Sequence, residues 1–228
     1  MNRVIPIIAV VLLTVSGLII KFIRINKYVE RLEFTIDFNN RFFDFVNSFF
    51  AEWKMDSEKY NSVIKDVDKI QQELGLAGVL SSFYDPLKGI QGRNYQLFMN
   101  IIPEIRYLLY DQYDSISSER VQQLVGLCED SLKRHIGHLE RSIKIEKKGL
   151  CNPVTCMGEG IRWIVGLPID ILQWAGIYGE ITTNKIKSNF VYKLFNNVII
   201  IIGLISSIIG IVLGWDEFIQ ILENFLEK

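Results

Sequence analysis

Histidine is almost missing from this chain, with 2 residues in 228, and cysteine stops at 3. So few imidazoles leave little side-chain acid–base capacity near neutral pH. A small, odd number of thiols argues against a disulfide scaffold and fits a reducing compartment. A charge excess is lacking too: 25 Lys+Arg against 26 Asp+Glu leave −1 overall. That denies the chain the basic footprint of a nucleic-acid coat, so no nucleic-acid partner is expected. With only 5 Pro and 16 Gly, wholesale disorder and collagen-like repeats are excluded. No G-x-S-x-G, no G-x-x-x-x-G-K-[ST] and no H-E-x-x-H occurs anywhere in the sequence. Without a nucleophile elbow, a phosphate loop or a zincin helix, neither an enzyme nor a cofactor is expected.

What the chain has is apolar sequence in concentrated form, giving a mean hydropathy of +0.21 despite 22% charged residues. Val4–Ile20 is an uncharged run of 17 residues, and Leu194–Trp215 is another of 22. A helix crossing a bilayer core of about 30 Å needs roughly 17–25 apolar residues. Both runs meet that length. In hydrocarbon the backbone must satisfy its own hydrogen bonds, so a single crossing stretch is helical. No A-x-A-like cleavage site follows the first run, so residues 1–24 are expected to stay as an anchor rather than leave as a signal peptide.

Lys21, Arg24, Lys27 and Arg31 follow the first run, and Lys185, Lys187 and Lys193 precede the second. Acidic residues, Asp216 and Glu217 first, follow the second. Basic flanks mark the cytosolic side. Residues 25–190 are therefore expected in the cytosol, with both termini outside and the chain integral to the cell (inner) membrane.

Between the runs the sequence reads as helices. Phe34, Phe38, Phe42, Phe45 and Phe49 recur at helical spacing and line one face, either for internal packing or for a partner. Asp56-Ser57 offers a cap for a second helix running to Gly75. Leu76–Gly92, with Gly78, Pro86, Gly89 and Gly92, reads as a partly buried loop. A third helix is expected over Asn94–Tyr110, with Pro103 kinking it or marking a fresh start. A fourth begins near Ser117-Ser118 and carries Val121, Leu124, Cys128, Leu132, Ile136 and Leu139 to Gly149. No strand is expected. Residues 25–150 thus form a cytosolic all-α domain.

Residues 151–190 form an interfacial or re-entrant segment. Its apolar part carries Trp163 and Trp174 but is broken by Arg162, Pro168 and Asp170. A charge at mid-bilayer costs about 2.5–3.5 kcal/mol on insertion scales, which favours a helix at the inner interface over a third span. Residues 191–215 form the second transmembrane helix, and 216–228 a short amphipathic tail. Ser206, Gly210 and Gly214 place small residues four apart, a spacing that lets two helix backbones approach closely. The partner would be the first span, through Ser16 and Gly17, or another copy of the chain.

His135-Ile136-Gly137-His138 spells, and so resembles, the HIGH signature of class I aminoacyl-tRNA synthetases and related nucleotidyl transferases. The resemblance covers four residues, lies inside a helix with no preceding strand, and lacks a KMSKS-like partner, so it reads as coincidence. The same histidines with Cys128, Cys151 and Cys156 lack zinc-site spacing, and no metal is expected.

The expectation is an all-α membrane protein, two terminal transmembrane helices enclosing a cytosolic helical bundle plus an interfacial helix. As function it implies a membrane-tethered interaction or scaffold protein that associates with itself or another protein. The alternative is an oligomeric channel or membrane-permeabilising effector with a cytosolic sensing domain. The 35 isoleucines point to an AT-rich, prokaryotic source.

Overall fold

The computed structural model describes residues 5–85, 89–108 and 115–226, without side-chain surroundings at some positions, among them Gly210 and Gly214. The chain is mostly helical, 85%. It divides into two compact units, Met1–Asn26 with Lys144–Lys228, and Lys27–Ile143.

Unit Lys27–Ile143 is built on the phenylalanine face. Helix α1 covers Ile5–Glu52 and supplies Phe38, Phe42, Phe45 and Phe49, all fully buried, with Phe34 partly buried beside them. Helices α2 (Ser57–Ile64), α3 (Val67–Leu74) and α4 (Leu97–Tyr107) contribute Val63, Ile70, Phe98 and Ile101 to the same core. Helix α5 (Ser115–Leu150) adds Val121, Cys128 and Leu132 from within this unit. Phe98 sets its ring edge-on to Phe38 and Phe42, with centroids 5.5 and 5.4 Å away, the arrangement the aromatic quadrupole favours.

Asp56 is the N-cap of α2, its carboxylate accepting from the Glu58 and Lys59 amides, and Gly75 ends α3 at φ 53°. The single helix expected between them is two. Arg41 donates to the Ser62 carbonyl, the acceptor that Asp66 N–H would use in a continuing α-helix. Asp66 N–H turns to Val63 O at 3.1 Å instead, and its carboxylate binds Arg41 at 2.8 Å. A side chain from α1 thus sits at the break between α2 and α3.

Where a loop was expected there is a β-hairpin. Strand β1 (Val79–Asp85) runs antiparallel to β2 (Ile90–Gln96), in the register Leu80 opposite Tyr95 and Phe83 opposite Gly92. Its sequence hides the strand period, because Ser81-Ser82 interrupt β1 and Gly92 and Asn94 dilute β2. Phe83 stacked on Tyr95 at 4.2 Å, with Arg120 over the Phe83 ring, anchors the pair. The expected turn residue Pro86 lies outside the described residues. Helix α4 starts at Leu97 rather than Asn94 because the hairpin holds the preceding residues. It passes Pro103 without ending.

The other unit holds residues 5–26 of α1, the end of α5, and helices α6 (Pro153–Trp174), α7 (Glu180–Ser188) and α8 (Phe190–Leu226). Asn152 caps α6 by accepting from the Val154 and Thr155 amides, and Pro153 takes the first helical position, where a missing N–H costs nothing. Pro168 does not end α6. Helix α7 lies in the 151–190 segment, where no separate helix was expected. Among the described residues one helix, α1, is long and apolar enough to cross a membrane. Helix α8 is continuous through Leu194–Trp215 and into the 216–228 segment.

Candidate functional site

The candidate site lies in the unit formed by the two chain ends. Gly17 and Gly160 bring α1 and α6 into backbone contact: a Cβ at Gly17 would overlap the Cys156 carbonyl, and one at Gly160 would overlap that of Leu13. The two helices therefore cross at Gly17 and Gly160 with their backbones in close approach. Gly203 of α8 lies against Ile161 of α6, and Ile200 beside Gly158. Helix α6 therefore touches both apolar helices through small residues, the contact that substitutes for hydrophobic association in lipid.

One step beyond this crossing runs a chain of alternating charges. Lys21 Nζ meets Glu146 Oε2 at 3.0 Å, and Arg24 reaches Glu146 Oε1 and Glu159 Oε2, each at 3.0 Å. Glu159 in turn binds Arg162 at 3.0 Å. Lys21 is only 6% exposed, so its ammonium is satisfied by Glu146 rather than by water. Burial works to raise the Glu146 carboxyl, but hydrogen bonds and charge from Lys21 and Arg24 outweigh it and hold the group below the ordinary carboxylate range.

Beside this chain opens a cavity of about 360 Å³, lined by Arg24, Glu159, Arg162, Asp170, Lys187 and Asn196. Trp163 and Tyr192 form part of its wall. Lys187 binds Asp170 across it. Asn196 Oδ1 is buried without a hydrogen-bond partner. The cavity thus offers cations, carboxylates and one idle amide oxygen. It has no nucleophile–base pair.

Of the residues singled out from the sequence, Arg162, Trp163 and Asp170 come together in this cavity. Trp174 stands apart from it, 89% exposed at the end of α6. The five phenylalanines line the core of the other unit. Ser206 is exposed on α8, while the side-chain surroundings of Gly210 and Gly214 lie outside the described residues. Gly17 faces α6. Lys21 and Arg24 were legible as a basic flank but not as partners of Glu146 and Glu159, which lie 122 to 135 residues away. Lys187 was legible only as a flank, and Tyr192 and Asn196 gave no signal.

His135 Nε2 lies 2.8 Å from Glu73 Oε1, and Glu73 also holds Arg31, so the histidine ties α5 to α3 and α1 within its unit. Among the described residues no group of three or more His, Cys, Asp or Glu could hold a metal ion. Neither a family model, nor a curated protein, nor a solved structure matches this chain.

Proposed function

We propose that the chain is a membrane-tethered helical scaffold, held in the bilayer by α1 and by the apolar part of α8, with the phenylalanine-cored unit in the cytosol. One observation carries this reading. Along α1, Ile8, Leu12, Val15, Ile19, Phe22 and Ile23 form an uncovered apolar stripe at helical spacing. On α8 the residues Ile201, Ile205, Ile208 and Val212 are uncovered as well. A soluble monomer rarely leaves so continuous an apolar surface in water. The basic flanks support both termini facing outward. Because Phe38 to Phe49 are consumed by the core, interaction with a protein partner or a second copy falls to the outer surface of that unit or to the spans.

The test is membrane fractionation with protease protection. The full-length protein stays in the pellet after alkaline carbonate washing, and protease added to sealed, right-side-out cells spares residues 60–140. Recovery in the supernatant, or cleavage there, ends this reading. Chemical cross-linking in those membranes reads self-association.

The charged cavity favours a second reading, an oligomeric channel or permeabilising effector in which Arg162 and Asp170 line a path. Dye release from liposomes carrying the pure protein, lost on Asp170→Ala, would support it. Silent liposomes leave the scaffold.

A further inference from the structure

We propose that the cavity between α1, α6, α7 and α8 binds a phosphate ester that also carries a hydrogen-bond donor, the chemistry of a phosphoethanolamine or phosphoglycerol lipid headgroup. This rests on the membrane reading above. Arg24, Arg162 and Lys187 line the space with Glu159 and Asp170; with Lys21 and Glu146, which complete the same network, four cations face three carboxylates and one positive charge is left over. Arginine and lysine together are the donors that phosphate recruits. The unpartnered Asn196 Oδ1 is an acceptor and calls for a donor, which an ammonium or hydroxyl on the same ligand supplies. At about 360 Å³ the space lies within the about 300–1,000 Å³ range of small-molecule sites.

Position adds to the chemistry. Ile20 and Arg24 stand where the first apolar run closes, and Tyr192 and Asn196 stand where the second opens. The polar cavity therefore meets both apolar stretches at one of their ends, as a ligand with a charged head and an apolar tail requires. Trp163 and Tyr192 in its wall are residue types that settle at headgroup level.

The test uses full-length protein in detergent, offered phosphatidylethanolamine, phosphatidylglycerol, or diacylglycerol of the same chains, with bound lipid read by native mass spectrometry. Wild type should retain either phospholipid over diacylglycerol by about tenfold or more. Combining Arg162→Gln with Lys187→Gln should erase that preference, and Arg162→Lys with Lys187→Arg should keep most of it. The wild-type comparison needs no variant, so a double substitution that unfolds the protein leaves it standing. Equal retention of diacylglycerol and phospholipid by wild type overturns the proposal. Acyl-free glycerophosphoethanolamine separates the sources: if it displaces the lipid at equal concentration, the phosphate-ester site stands but a soluble ligand owns it. Failure of the membrane reading appears elsewhere, as protein in the carbonate supernatant whichever lipid binds.

Discussion

Gln71 shows how much one buried side chain can hold. Its Nε2 donates to the Gly78 carbonyl at 2.9 Å and its Oε1 accepts from the Phe98 amide at 3.2 Å. Gln96, at the N-cap position of α4, gives no side-chain cap, so Gln71 satisfies that helix start from another element. Gln71→Leu leaves both backbone groups buried and unpaired, at about 1–3 kcal/mol each, and denaturant unfolding should show a loss of about 2–6 kcal/mol. The thiols make a second residue-scale prediction. Cys128 is buried and burial pushes its thiol up, Cys156 is buried, and Cys151 is exposed. Since the thiolate is the reactive form, iodoacetamide at pH 8 should label Cys151 alone in the folded protein and all three after denaturation. Rapid labelling of Cys128 in the native state would contradict its burial.

At the scale of elements, Arg41 holds both sides of the break between α2 and α3. Arg41→Met frees the Ser62 carbonyl and leaves Asp66 without its guanidinium. Losing hydrogen bonds to a charged group should cost about 1.5–3 kcal/mol. Hydrogen exchange should report the change first at residues 62–67. This contact was not legible in the sequence because Arg41 lies 21 residues away from Ser62, on another helix. The phenylalanine face, the Asp56 cap and the Gly75 stop were legible because periodicity and capping are local. Asn152-Pro153 carries the local signal of an Asx cap before a first-turn proline, and α6 begins there. The hairpin was hidden for a different reason. A two-stranded ribbon with Gly92 and Asn94 in it needs little alternation when one stacked pair and one arginine hold it.

For the whole molecule, the charge chain sets a pH limit. The folded state holds Glu146 below its unfolded value of about 4.3, so its contribution is present above that pH and is lost as pH falls through the folded value. Helicity measured in detergent should stay flat from pH 8 to 5 and fall below about pH 4, and Glu146→Gln should remove part of that acid limb. A fall centred near pH 6 would point to another group. The cavity residues were flagged only in part because the site is assembled from the two chain ends, and no window of sequence contains both. That arrangement has a consequence for synthesis. Lys21 and Arg24 leave the ribosome 122 to 135 residues before Glu146 and Glu159, an interval on the order of ten seconds. Throughout it the nascent chain carries both cations at the end of an apolar run without the two carboxylates that hold them in the fold. A polypeptide that stops before residue 146 leaves Lys21 and Arg24 without either of these carboxylates.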